Sequence, residues 1–265
     1  MDIGIIGIGK VGEAIAVGLR DVESQDWNLV GATTATAKSA QTASERIGIP
    51  VTTDSRALAT SAKVLLLCVK PYQAQKALEA IAQDLTAEHL VISVAAGVTV
   101  AQLTEWSGGK PHIVRAMPNT PALIGQGMTV IASGPEEAQI AKAIKIFECV
   151  GKTATVAEHL MDGVTGLSGC GPAYIYVMIE ALSEAGVSVG LPRDVSTLLA
   201  AQTMLGSAQM VLERGRHPAM LKDEVTTPAG CTIDGLIALE EGKMRATLIR
   251  AVRAATDRSK TLGSS

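Results

Sequence analysis

The chain has 265 residues, 47% of them hydrophobic and 18% charged, with a formal net charge of −3. This balance excludes a disordered chain, and the lack of any basic run together with only 2% aromatic residues leaves no footprint for nucleic acid. Cys68, Cys149, Cys170 and Cys231 form no C-x-x-C pair and the histidines are scattered, so reduced, mostly buried thiols are expected rather than a metal site or a disulfide framework.

An apolar strand begins at Ile3 with no basic leader before it, which points to a cytoplasmic protein. Short apolar runs at 3–6, 29–33, 64–69, 90–94, 112–116 and 129–132 alternate with helical stretches, and that alternation predicts a mainly parallel sheet with helices on both faces. The run from Val64 to Val69 does not alternate, as expected of a central strand covered on both sides. After Ala157 helical periodicity takes over with Gly and Pro punctuation, so the division is drawn into residues 1–157 and 158–265. In the second part Pro172, Pro192 (at the first helical position) and Pro218 are expected to open helices, and Gly186, Gly190 and Gly242 to end them. The stretch from Val195 to Leu212 carries no charge and approaches membrane-spanning length. Its Ser196, Thr197, Gln202, Thr203, Ser207 and Gln209 make it too polar for lipid, and a face between subunits suits it better.

Gly7-Ile8-Gly9-Lys10-Val11-Gly12 follows the first strand and opens a helix from Lys10 to Leu19, the context that a dinucleotide fingerprint requires. Gly7 would make the tight turn, Gly9 would let a pyrophosphate approach the backbone, and Gly12 would let helix and strand pack closely. About twenty residues on, where NAD-specific sites carry an acid, this chain reads Thr33-Thr34-Ala35-Thr36-Ala37-Lys38, and the next acid is Glu45. Hydroxyls such as that of Thr34 and the cation Lys38 accept a 2'-phosphate without charge repulsion, so NADPH is favoured and NADH is the alternative. Lys38 reads equally well as a solvated residue at a helix start.

The segments Gly166-Leu167-Ser168-Gly169-Cys170-Gly171-Pro172-Ala173-Tyr174 and Asp223-Glu224-Val225-Thr226-Thr227-Pro228-Ala229-Gly230-Cys231-Thr232-Ile233 resemble those of pyrroline-5-carboxylate reductases. Val69-Lys70-Pro71 and Arg115-Ala116-Met117-Pro118-Asn119-Thr120-Pro121 look like first-domain signatures of the same family. The resemblance runs in order along essentially the whole chain. It implies an α/β Rossmann-like N-terminal domain and an all-α C-terminal domain through which homodimers form, with further assembly of dimers in some members. It also implies NAD(P)H-dependent reduction of 1-pyrroline-5-carboxylate to L-proline, the last step of proline biosynthesis. By the same resemblance Val69, Lys70, Pro71, Ala95, Ala96 and Gly97 lie beside the cofactor and Asn119 near its nicotinamide end. The substrate loop falls on Ala229, Gly230, Cys231 and Thr232, whose free NH groups at a helix start suit a carboxylate, with the Thr232 hydroxyl near the ring nitrogen.

Two departures stand out: Ala229-Gly230-Cys231-Thr232 replaces the family's Gly-Gly-Thr-Thr, and Cys170 stands where it commonly has Ser. Were Ala229 to need a positive φ, its methyl would cost about 1 kcal/mol or more. A small thiol keeps volume but weakens hydrogen bonding. Reducing a cyclic imine needs neither metal nor covalent nucleophile, so catalysis rests on positioning the two reactants in one cleft, within a chain or across a subunit boundary. Other readings are an NADPH-dependent reductase of a different cyclic imine, a reductase of β-hydroxyacids using Lys222 (near a helix start), and a non-catalytic NADP-binding sensor. The last would have lost the substrate loop. His89, His112, His159 and His217 read as surface or strand-end residues.

Overall fold

The computed structural model, which describes residues 1–22, 26–134 and 136–262, turns the six apolar runs into strands and adds two more. In chain order these are β1 (Asp2–Ile6), β2 (Asn28–Thr33), β3 (Val51–Thr52), β4 (Val64–Leu67), β5 (Leu90–Ser93), β6 (His112–Met117), β7 (Gly127–Ser133) and β8 (Gly151–Ala157). They form one sheet in the order β3-β2-β1-β4-β5-β6-β7-β8. Every pairing is parallel except that of β6 with β7. The two unexpected strands both lie at edges. β3 has only two residues, and β8 is built of small and polar side chains half open to solvent, so neither carries the apolar run that marks a covered strand.

The strand pleat sends alternate residues to opposite sides, and each side has its own core. Ile3, Ile5, Leu66, Leu90 and Ile92 pack with apolar residues of α1 (Lys10–Asp21), α2 (Ala37–Ile47) and α6 (Glu137–Phe147). Ile6, Leu65, Leu67 and Val91 pack instead with α3 (Ser55–Ser61), α4 (Pro71–Glu79) and α5 (Val100–Trp106). Burial of one such Leu or Ile is worth about 1.5–3 kcal/mol, which makes the central strands the rigid frame of the site.

Two compact units are present: 1–170 together with 252–265, and 171–251. The boundary expected at 157/158 falls where the last strand ends, whereas the compact units divide later. The π-helical turn Thr165–Gly169 and the end of α12 (Met244–Leu262) belong with the sheet, where Gly166 lies against Val252 and Thr256. The second unit holds α8 (Gly171–Ser188), α9 (Arg193–Arg214), α10 (Pro218–Glu224), α11 (Cys231–Glu241) and the start of α12.

Pro192 is the cap before α9 rather than its first residue. Gly186 lies inside α8 instead of ending it: a Cβ there would meet the Ser196 Oγ of α9 at 2.6 Å, so its role is close helix packing. Among the described residues of this unit Ala200 is the one buried hydrophobic side chain, while Tyr176, Val177, Val189, Leu198, Leu205 and Leu212 are exposed. A helical unit with so little core and so much open apolar surface needs a further surface to cover it. By length and composition α9 is long and apolar enough to cross a membrane, with Ser196, Gln202 and Gln209 along it.

Candidate active site

At the carboxyl end of β1 the chain turns through Gly7, whose φ of +99° lies in the left-handed region, and the Gly7 NH donates to the Thr33 carbonyl at 2.9 Å. This bond fixes the turn to the end of β2. A Cβ on Gly12 would lie 2.2 Å from the Gly7 carbonyl oxygen, so only glycine lets α1 start so close to the strand. Around Gly9 the reverse holds, since a Cβ there would meet nothing within 4 Å. Gly9 is the N-cap of α1 and no side chain caps that helix, which leaves its first NH groups free for an anion. An enclosed turn, an open middle glycine and uncapped NH groups fit the pyrophosphate of a dinucleotide.

This turn opens onto a cleft of about 930 Å³ within the first unit. Of the residues expected at a cofactor, Gly7, Ile8, Gly9, Lys10, Val11, Thr34, Val69, Lys70, Pro71 and Ala96 line it. Gly12 sits behind the turn, and Ala95, 2% exposed, is packed beneath Ala96 in the core. Gly97 (φ +74°) follows Ala96 without lining the cleft. Pro71 does open a helix, as the first residue of α4, and Lys70 is its N-cap, so that structural role and a place in the cleft coexist.

Lys38 lies exposed in the first turn of α2 and does not line the cleft. That turn is already capped, Thr36 Oγ1 accepting from the Ser39 NH at 3.2 Å. None of the residues lining the cleft is an acid. Asp54 stands between the lining residues Thr53 and Ser55, but its carboxylate caps α3, accepting from the NH groups of Arg56 and Ala57 at 3.1 and 3.0 Å.

Asn119, just beyond β6, uses its amide inside the protein. Its Oδ1 accepts from the Met128 NH at 2.9 Å and its Nδ2 donates to the Ser168 carbonyl at 3.3 Å. It therefore clamps the π-helical turn Thr165–Gly169, and it is Thr120 that lines the cleft. Arg115, four residues earlier and 4% exposed, reaches Asp162 at 3.5 Å and Glu158 at 3.9 Å, while Ser259 Oγ donates to Asp162 at 2.7 Å. These contacts fasten β6 to the segment that follows the sheet. Their signal in the sequence was a charged residue inside an apolar strand.

The loop expected to hold substrate lies in the second unit. Ala229 does adopt a left-handed conformation, φ +58°, and the Gly230 NH donates to the Thr227 carbonyl at 3.0 Å. Gly230 then caps α11 with no side-chain bond, leaving the NH groups at Cys231 and Thr232 free, and Thr232 is half-buried. Cys231 is exposed and the other three thiols are half-buried, so the expected burial of the cysteines holds least at this loop.

The histidines take no part in these sites. His89 is buried rather than on the surface, with Nδ1 accepting from the Thr86 NH and Nε2 bonded to the Ala59 carbonyl, each at 3.0 Å. Lys222 is in the last turn of α10, not at a helix start, and pairs with Asp223 at 2.7 Å.

Residues 158–262 match the family model for pyrroline-5-carboxylate reductase dimerisation, and residues 2–97 that for NADP oxidoreductase, coenzyme F420-dependent. A pyrroline-5-carboxylate reductase of Arabidopsis thaliana is 40% identical over 265 residues, covering 99% of this chain and 96% of the relative. The chain belongs to the pyrroline-5-carboxylate reductase family. Pyrroline-5-carboxylate reductase folds already solved superpose closely. The Plasmodium falciparum pyrroline carboxylate reductase with NADP bound has a TM-score of 0.87 and 32% identity, with 99% of this chain and 98% of that one covered. The Coxiella burnetii enzyme also has a TM-score of 0.87, with 36% identity and coverage of 98% and 97%.

In this member of the family the cleft includes residues that motif reading passed over: Thr33, Thr53, Ser55, Gln73, Lys76 and Ala77. Helical spacing along α4 was the available signal, because 73, 76, 77 and 80 recur on one face.

Proposed function

We propose that this protein is an NADPH-dependent pyrroline-5-carboxylate reductase that forms L-proline. The observation that carries the reading is the full-length kinship with pyrroline-5-carboxylate reductases in a chain that keeps an uncapped glycine turn and an acid-free cleft. When bound, NADPH supplies the hydride that reduces the carbon of the C=N bond, while the ring nitrogen takes a proton. The NH groups at the start of α1 hold the pyrophosphate, helped by Lys10, and Val69–Pro71 with Ala96 border the dinucleotide. Thr34 stands at the ribose end, where a 2'-phosphate meets no carboxylate, while Lys38 lies outside the cleft. The backbone of Ala229, Gly230, Cys231 and Thr232 binds the single carboxylate of the imine at the start of α11. The Thr232 hydroxyl hydrogen-bonds the ring nitrogen as it becomes an amine. Asn119 acts at one remove, by holding the turn that carries Ser168.

Residues 158–265, as substrate-binding and dimerisation domain, cover the apolar faces of α8 and α9 in a homodimer, which can assemble further in the cytoplasm. The test is loss of NADPH absorbance with 1-pyrroline-5-carboxylate, set beside other cyclic imines and keto acids. Turnover strongly favouring pyrroline-5-carboxylate is expected. Preference for another imine or for a keto acid, or cofactor binding without turnover, overturns the assignment.

A further inference from the structure

Three cations line the cleft, Lys10, Lys70 and Lys76, and their places along it differ. Lys10 opens α1 beside the pyrophosphate seat, and Lys70 caps α4 at the end of β4. Lys76 belongs to a stripe with Gln73, Ala77 and Ala80 that faces the cleft, while Ala74 and Leu78 of the same helix are buried in the core. Two side-chain contacts fix which end of the cleft this stripe walls. Just beyond α4, Asp84 receives two hydrogen bonds from Arg56, at 2.7 and 3.0 Å, which brings the end of α4 to the start of α3. At that start Ser55 shares a 3.0 Å hydrogen bond with Thr33, the last residue of β2. The stripe therefore faces the ends of β2 and β3, the part of a Rossmann cleft that receives the adenosine ribose.

We propose that Lys76 is a specificity-determining residue that reads the 2'-phosphate of NADP. The proposal rests on the cleft being a dinucleotide site and deepens that reading. Among the described residues Lys76 Nζ has no carboxylate partner, a state it shares with Lys10, Lys38 and Lys70, whereas Lys63, Lys145, Lys222 and Lys260 are each paired with an acid. Ala77 and Ala80 leave room beside it, and the hydroxyls of Thr34, Thr53 and Ser55 complete a polar surface without negative charge. An ammonium on a residue lining the same cleft gains a charge-assisted bond from a phosphate and nothing comparable from a ribose 2'-hydroxyl.

The test is equilibrium titration of the full-length protein with NADP⁺ and with NAD⁺, a measurement that does not depend on turnover of any imine. For Lys76→Met the dissociation constant of NADP⁺ is expected to rise about tenfold while that of NAD⁺ stays within error. Lys76→Arg should keep most of the preference. Equal weakening of both dinucleotides would assign Lys76 to the pyrophosphate and overturn the proposal. So would an unchanged preference in Lys76→Met, or its transfer to Lys38→Met alone.

Discussion

Helices α1 and α11 both begin after a left-handed residue and both leave their first NH groups uncapped, yet the two turns are built under different constraints. At Gly7 a Cβ would come within 2.9 Å of the Cys68 backbone and 2.8 Å of the Val69 side chain, so space and backbone conformation both demand glycine. At position 229 the methyl of Ala229 is already present, at φ +58°, on an exposed loop. An enclosed turn wedged between two central strands leaves one residue type, while an exposed one tolerates a steric cost of about 1 kcal/mol. The first turn is therefore legible as a motif, and the second is a place where a family pattern can drift.

The sharpest break of the contrast comes from two alanines in the first turn. Gly12→Ala places a methyl 2.2 Å from the Gly7 oxygen and is expected to destabilise the protein by about 3 kcal/mol, read as a fall in the denaturant midpoint. Gly9→Ala meets no protein atom within 4 Å and adopts an extended φ of −93°, so its midpoint should stay near that of the parent. Its NADP⁺ affinity should still fall, roughly tenfold to a hundredfold, because the methyl enters the space a pyrophosphate needs. Equal stability of the two variants would remove the distinction between an enclosed and an open glycine.

In the second turn the larger effect belongs to Thr232. Thr232→Ala is expected to lower kcat/KM for pyrroline-5-carboxylate about tenfold or more with the NADP⁺ dissociation constant unchanged, and steady-state kinetics beside a binding titration reads both. Unaltered kcat/KM would end the role of its hydroxyl. A smaller, opposite effect is expected of Ala229→Gly. Relief of the left-handed strain exceeds the extra chain entropy of glycine, so stability should rise by about 0.5–1 kcal/mol on denaturant unfolding. A loss of stability would show that the loop carries no strain at that residue.

The same contrast explains what the sequence made readable. Unbroken apolar runs such as Val64–Leu67 announced covered strands, and glycine spacing announced the first turn, because burial and close approach restrict residue choice. The edge strand β8 was not readable, since its Thr and Lys side chains are free to face solvent. The amide of Asn119 was matched to a motif, but its partners, the Met128 NH and the Ser168 carbonyl, lie 9 and 49 residues away and only folding shows them. Lys76 is not legible for a related reason: a lysine on a helix reads as solvated until the neighbouring strands reveal which face is a cleft wall.

The smallest effect separates the two turns by their thiols. Cys68, half-buried, lines the cleft beside the glycine turn, its Cβ 3.2 Å from where a Gly12 Cβ would be, and desolvation pushes its thiol up to about 12 from an ordinary value of 9.0. A folded thiol that holds its proton while the unfolded one ionises makes the native state bind more protons between those values. Stability contributed by Cys68 should therefore be present below pH 9 and decline as the pH rises toward 12, and Cys68→Ser should flatten that decline. Cys231, at the first position of α11, is exposed. In native protein at pH 8, iodoacetamide should label Cys231 and leave Cys68 unmodified, as read by peptide mass spectrometry. If the product's carboxylate binds at this helix start as proposed, L-proline should slow labelling of Cys231. Labelling of both thiols at equal rates would mean that the glycine turn opens to solvent as readily as the loop does, and the structural difference between the two helix starts would vanish.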